Sequence, residues 1–542
     1  LKTIEFYLSI SAPTKKSIEG VLKVKHFINL ALLCCLFGAA PELPIVVAIP
    51  LKMDVPPVSE RVVHLAPPGP NDSRYAYVPF DVPRHAARIK VTYKYDRAND
   101  KNTIDIGLFD ARFSGHDTDP RGFRGWSGGR RSEFFVSRDQ ATPGYLRGEM
   151  PAGKWRIIFG LYRVAPAGVD ISLKIEIETL ETKSSSSTAA VTDTVSMGPD
   201  RALTRIGQNT TSSRDRRIPR NGMGWWRGDL HMHTVHSDGN WTIAELISSA
   251  RDTGLDFIVI TDHNTASHHE EIDRLSQGSR QLLVLRGEEI TTYGGHTNAW
   301  GLPSGTWIDF RTHPGDTKRI SSIAAAAHRA GAVISINHPF VLCGGCAWGY
   351  GAAARGFDAI EVWNGPWDFT DEPALKMWDK ILQSGRRITA IASTDSHRPD
   401  TPIGKPATHV AARVLSEAAL LNAIRQGRAY LTDGTPRLAI TFEAELPNIN
   451  RRTRSIIGDE IRLGAPGKIR FFITTEGVPD GAAVSLISNG EVIRSFPAKA
   501  HGQPEMVEID CRKDSYFRIE VRDGRNAMLA LTNPIYVRYQ RR

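Results

Sequence analysis

Between residues 223 and 435 one unit recurs, and it limits the folds open to the chain more than any other feature. A stretch with helical spacing runs to a glycine; a strand-length apolar run follows and ends in a polar tip. "TIAELISSARDTG" leads into "LDFIVITDHN", "ISSIAAAAHRAG" into "AVISINHPF", and "EPALKMWDKILQSG" into "RRITAIASTDSH". Helical periodicity giving way to short continuous apolar runs is the pattern of buried strands joined by helices. Alternation of this kind predicts a parallel sheet, and a closed βα barrel is the form expected here. In such a barrel all the strand C-termini open on one face, so residues far apart in sequence meet there.

The tips are rich in metal-binding side chains. His231 and His233 follow "WWRGDL", Asp262 and His263 follow "FIVI", and Glu288 and Glu289 close "LLVLRGEE". His338 follows "VISIN", and Asp395 and His397 follow "ITAIAST". His296 opens "HTNAWGL", where a strand starts late or runs the other way. Residues i and i+2 of a strand project to the same side, so His231 with His233, and Asp395 with His397, can each grip one ion. Imidazole and carboxylate donors suit zinc, manganese or iron, and the lack of thiolates at the tips argues against a closed structural zinc site. "GDLHMHTVHSDG" therefore reads as the first piece of a polynuclear metal site. Among the neighbours, His236 is expected in a loop, His268 and His269 facing solvent, and His328 packed on an Ala-rich helix. Asp262 is expected to orient a ligand rather than bind metal. Trp300, Trp363 and Asn364 are candidates for pocket walls or core.

Strand-length segments such as "ARIKVTYKY" and "VDISLKIEIETL", punctuated by Gly, Pro and Asp, predict an N-terminal β-sandwich-like domain over 55–180. Residues 181–222 are polar and bury nothing, as in a linker or long loop. Residues 436–542 again read as short strands, with a hairpin turn at Asn489-Gly490, and predict an immunoglobulin-like β module. At the start, "KVKH" followed by "FINLALLCCLFGAA" has the charge and length of an export signal spanning 1–40, cleaved near Ala40. The expectation is an exported protein, periplasmic or secreted, with no stable membrane span after cleavage; an uncleaved anchor is the alternative. Outside the cytosol Cys343 and Cys346 would form a disulfide, while a redox pair or half a zinc site are the other readings of C-G-G-C. The net charge of +9 is scattered, with no basic stripe for nucleic acid. No oligomeric state is read from the chain.

The ordered motifs "DLHMHT..SDG", "TDHN", "GEEIT", "GHTN", "NHP" and "STDSH" resemble those of the PHP (polymerase and histidinol phosphatase) superfamily. "DAIEVWNG" and "IRQGRAYLTDG" resemble its CehA/McbA branch of carbaryl-hydrolase-like enzymes, as do "FRGWSGG" and "ATPGYLRGEMPAGKW" upstream. The resemblance implies a distorted βα barrel over 223–435, smaller than a TIM barrel, within an α/β architecture flanked by the two β domains. It implies two or three divalent transition-metal ions (Zn, Mn or Fe). His231, His233 and Asp395 would hold the first, Glu289 would bridge to the second with His296 and His338, and Asp238, His263 and His397 would hold a third. Asp395 or His397 would be the catalytic proton carriers. The expected function is an exported hydrolase that uses a metal-bridged hydroxide on a small-molecule phosphoester, or on an ester or carbamate. Two other readings are a carbohydrate- or surface-binding protein with a relic barrel, and a PHP-type nuclease.

Overall fold

Alternating burial along the first strands builds two four-stranded antiparallel sheets in the computed structural model, which describes residues 58–70, 72–179, 223–276, 281–447, 454–498 and 504–539. One sheet has the order β1 (Val58–Leu65), β8 (Val169–Thr179), β3 (Ala86–Tyr95), β6 (Glu133–Ser137). The other has the order β2 (Tyr75–Val82), β7 (Gly153–Arg163), β4 (Thr103–Phe109), β5 (Phe123–Gly128). Every second residue of β3 and β8, among them Ile89, Val91, Ile171 and Ile175, enters a core shared with Ile104, Ile106, Trp155 and Ile157 of the facing sheet. Inward and outward residues alternate because the side-chain period of a strand is two. The expected export segment (1–40) and linker (181–222) lie outside the described residues.

The recurring unit forms a mixed sheet. Its strands run in the order β15 (Thr389–Ser393), β14 (Ala359–Asn364), β13 (Val333–Ile336), β12 (Gly295–Trp300), β11 (Leu283–Thr292), β10 (Phe257–Ile260), β9 (Gly224–Asp229), β16 (Ala407–Ala412), β17 (Ala429–Thr432). The pairs β9–β10, β10–β11, β13–β14 and β14–β15 are parallel, whereas β12 runs antiparallel to both its neighbours. Five helices are described: α1 (Ile243–Asp252), α2 (His269–Ser276), α3 (Thr317–Arg329), α4 (Asp371–Gln383) and α5 (Glu417–Arg425). The start of α1 is written in sequence: Thr242 accepts from the Glu245 backbone N–H, and Glu245 Oε2 accepts from the Thr242 N–H at 2.9 Å. This reciprocal cap satisfies two otherwise orphaned donors.

The expected closed barrel is not found. The strand path ends at β15, whose one ladder partner is β14. The gap toward β9 and β16 is crossed by an isolated bridge between Met232 and Ser396 and by side chains. Thr408 Oγ1 accepts from Ala392 N (2.9 Å) and donates to Ala392 O (2.7 Å). Asn533 Oδ1 accepts from Ala390 N (2.8 Å), and its Nδ2 donates to Ala390 O (2.9 Å) and Ala429 O (3.0 Å). A buried strand edge must find partners for its backbone groups, and here an amide and a hydroxyl take the place of a strand. The result is a mostly β molecule with few helices, a correction to the expected α/β class.

The C-terminal residues form two facing sheets, one of which continues the central sheet. β17 pairs antiparallel with β26 (Met528–Thr532), which continues through β25 (Ser515–Arg522) and β22 (Ala483–Ser488) to β23 (Glu491–Pro497). The central sheet thus runs unbroken into this region. A second sheet, β19 (Ser455–Ile456), β18 (Ala439–Glu445), β21 (Gly467–Glu476), β24 (Glu505–Cys511), covers it, and β20 (Glu460–Leu463) pairs parallel with β27 (Ile535–Tyr539). The Asn489-Gly490 turn joins β22 and β23, with both residues at positive φ (51° and 85°) as a two-residue hairpin requires.

Candidate metal centre

Strand alternation decides which of two adjacent glutamates faces the centre. Glu288 and Glu289 are both buried on β11. Glu288 Oε2 accepts from Ile308 N at 2.6 Å on one side of the strand. Glu289 points to the other, where its Oε1 lies 3.3 Å from His231 Nε2, 3.2 Å from His296 Nδ1 and 3.2 Å from His338 Nε2. Its Oε2 lies 2.8 Å from His263 Nδ1 and 3.5 Å from His233 Nε2. His296 reaches this point because β12 runs antiparallel: its first residues stand where the parallel strands end.

Asp395 completes the near side, with Oδ1 3.4 Å from His231 Nε2 and 3.1 Å from His233 Nε2. Next to it, Asp238 Oδ1 lies 3.4 Å from His263 Nε2 and 3.2 Å from His397 Nε2. All nine residues singled out in the sequence thus converge. Their donor atoms fall into overlapping groups able to hold an ion: His231, His233 and Glu289; His231, His338 and Asp395; Glu289, His296 and His338; and His233, Asp238, His263 and His397. Gly239 permits the tight return after Asp238, since a Cβ there would collide with the His233 carbonyl.

The donors fit divalent cations. His231 Nε2, both ring nitrogens of His233, Glu289 Oε2, His296 Nδ1 and Asp395 Oδ1 are buried without a hydrogen-bond partner. Lone pairs facing one another at these distances repel unless a proton or cation lies between them, and buried polar atoms are otherwise paired. Burial opposes the charge on Glu289, yet the imidazoles of His231, His263 and His296 hold it well below the usual carboxylate range. His338 and Asp395 sit at positive φ (24° and 51°), strained conformations of the kind that recur at functional sites.

A layer behind the donors fixes their orientation. Glu361, in the middle of the apolar β14, brings Oε1 to 3.2 Å from His231 Nδ1 and accepts through Oε2 from His338 N (2.9 Å) and Asn364 Nδ2 (3.0 Å). Sequence reasoning missed it; its signal was a lone carboxylate inside "AIEVW". Asp229 accepts from Thr394 Oγ1 (2.6 Å) and Gly404 N (2.9 Å), holding the segment before Asp395. Asp262 accepts from Thr234 and Ser237 hydroxyls, both at 2.6 Å, and so shapes the loop between His233 and Asp238.

Other expectations need correction. His268 and His269 are buried, not solvent-facing, with Nε2 atoms 2.9 and 3.3 Å from Gly287 O. His328 is exposed beside Asp358 rather than packed. His236, by contrast, sits in a turn as expected, against Ser267 and Glu271 and outside the donor groups. Trp300 and Trp363 are core residues, at 0% and 1% exposure, and Trp300 donates to Leu230 O.

The N-terminal sandwich walls the centre. A cleft of about 550 Å³ is lined by Asp238, His263, His296 and His397 on one side and by Asp105, Trp126, Arg130 and Tyr162 on the other. The two parts are welded together. Gly144 N donates to Ser267 Oγ and Thr265 Oγ1 to Gly144 O, both at 3.0 Å. Gly144 takes φ +97°, and a Cβ there would press on the carbonyls of His236 and Trp126 at 2.9 Å. Phe123 stacks on Trp307 at 3.8 Å between ring centroids, and Tyr293 donates to Asp105 Oδ2 at 2.7 Å. Cys343, on the rim, forms a disulfide with Cys346 across 5.4 Å between Cα atoms. No described helix is long and apolar enough to cross a membrane.

No family model matches the chain, and no curated protein matches it either. Three solved structures are similar to parts of it. A two-domain Bacteroides vulgatus protein containing a predicted PHP-like metal-dependent phosphoesterase is 19% identical (TM-score 0.33), over 58% of this chain and 96% of its own. A Bifidobacterium adolescentis protein named as a metal-dependent phosphoesterase is 19% identical (TM-score 0.26), over 33% and 90%. A Chromobacterium violaceum amidohydrolase is 17% identical (TM-score 0.25), over 33% and 89%. At these identities and TM-scores none of them assigns an activity to the chain.

Proposed function

We propose that this protein is a metal-dependent hydrolase of the PHP type acting on small phosphoesters. One observation carries the reading: nine His, Asp and Glu side chains from separate strand ends meet in overlapping donor groups, several of their buried atoms having no partner but each other. His231, His233 and Asp395 would hold one ion, Glu289, His296 and His338 a second, and Asp238, His263 and His397 a third. When bound, such ions supply Lewis acidity to the scissile group and lower the pKa of a water nucleophile.

The chain's own residues do the rest. Glu361 holds His231 with Nε2 facing the centre, and Asp262 shapes the loop that carries Asp238. His397, which lines the cleft, and Asp395, 3.5 Å from it, would move the proton between water and leaving group where they are not engaged by an ion. Tyr293, Trp126 and Tyr162 form the wall that limits water around the substrate. An ester or carbamate substrate is the second reading. It rests on the resemblance of "DAIEVWNG" and "IRQGRAYLTDG" to the carbaryl-hydrolase-like branch.

The test is a panel of aryl phosphates, phosphodiesters, aryl esters and aryl carbamates with the metal-loaded full chain. Turnover of phosphoesters above the others supports the reading. A preference for carbamates or esters replaces it with the second, and turnover of none contradicts both. Export remains a proposal resting on "KVKHFINLALLCCLFGAA", to be decided by the N-terminal sequence of the native protein.

A further inference from the structure

The mouth of the cleft carries a charge pattern that the donor groups do not use. Arg97, from the loop after β3, Arg130, from the turn after β5, and Arg398, next to His397, all line it. Three separate segments deliver these arginines to one rim, and two of the segments belong to the N-terminal sandwich. Among the described residues none of the three guanidiniums has a carboxylate within ion-pair distance. Arg130 is instead steadied by a neutral group, its Nη2 donating to Asn240 Oδ1 at 2.7 Å. The acids in the cleft are otherwise engaged: Asp105 accepts from Tyr293, and Asp238 faces His263 and His397.

We propose that Arg97, Arg130 and Arg398 bind a second anionic group of the substrate, a carboxylate or phosphate remote from the bond that is cut. This rests on the hydrolase reading above and narrows its substrate class to small molecules with two anionic ends. A guanidinium presents a planar fork of donors that matches either oxyanion, so the shared chemistry is the anion itself. The pattern also gives the N-terminal sandwich a role beyond support: it carries two of the three residues that choose the substrate. Gly128 and Gly129 add no side chain to the wall just before Arg130, leaving the rim open there. Because the rim is solvent-facing, the selectivity should weaken with salt.

Two paired probes test this separately from turnover. By calorimetry on the metal-loaded chain, 4-carboxybenzylphosphonate should bind about ten-fold more tightly than its 4-carboxamide. The Arg97→Ala/Arg130→Ala double variant should remove that ratio, and Arg130→Lys should keep part of it. A phosphate in place of the remote carboxylate tells which anion the rim prefers. In kinetics, the kcat/KM ratio for 4-carboxyphenyl phosphate over 4-carbamoylphenyl phosphate should fall about ten-fold in the double variant, chiefly through KM. Equal binding of carboxylate and carboxamide by the wild type overturns the proposal, as does an unchanged ratio in the double variant. If neither phosphate is turned over while the binding ratio holds, the phosphoester reading fails and the anion rim stands.

Discussion

His231 Nδ1 lies 3.2 Å from Glu361 Oε1, and both side chains are fully buried. A carboxylate behind a ligating imidazole fixes its tautomer and raises its basicity. Glu361→Gln keeps the shape but removes the charge. It should weaken metal binding about 10- to 100-fold. Competition against a chromogenic chelator measures it; an unchanged affinity would show that Glu361 only packs.

Asp238 and His397 belong to the donor group nearest the open cleft. Charge on phosphoryl oxygens needs more neutralisation in the transition state than a single polarised carbonyl does. Asp238→Ala or His397→Ala should therefore depress kcat/KM for a phosphodiester more than for an aryl ester. Equal losses on both substrates would remove the distinct role of this group.

Burial pushes the Asp105 carboxyl up to about 6, the Tyr293 hydroxyl and His263 opposing the shift only in part. With the folded pKa above the unfolded one, the native state binds the extra proton, so this residue costs stability as pH rises from about 4 through 6 and the cost is then constant. Asp105→Asn keeps an acceptor for Tyr293. It should stabilise the protein by about 3 kcal/mol at pH 8 and by little at pH 4. Melting curves at the two pH values test the sign; equal shifts at both would contradict it.

Asn533 is fully buried and spans Ala390 and Ala429 with three hydrogen bonds. Asn533→Ala strands Ala390 N and O, while Ala429 O keeps the Asn533 backbone N–H, and should cost about 2–4 kcal/mol. Because β15 leads directly to Asp395, metal affinity should fall as well. A variant that melts like the wild type would show that the seam closes by other means.

The metal-bearing strand ends were legible because local rules set them. A two-residue period puts His231 beside His233, and a glycine ends each helix before its strand. Glu289 needed the family pattern, since alternation alone allows either of two adjacent glutamates; the Ile308 bond shows where Glu288 goes. What local pattern cannot carry is pairing across long separations. The seam depends on Asn533, more than a hundred residues from Ala390 and Ala429 in the chain. The union of β17 with β26 joins two strands that each read as ordinary edges. His268 and His269, expected on the helix after "TDHN" and facing solvent, are instead buried, with both rings against one carbonyl, Gly287 O. The rim arginines sit in loops with no period at all, and only the docking of the sandwich brings them to the cleft.

His231, His233, Glu289 and their neighbours are proposed to hold catalytic metal. Elemental analysis of the purified full chain, paired with aryl phosphate turnover before and after chelation, tests this most directly. Two or three transition-metal ions per chain are expected, with activity lost on chelation and restored by metal, and both lost in His233→Ala and Glu289→Ala while the β sheets remain folded. Full turnover by metal-free protein would contradict the proposal.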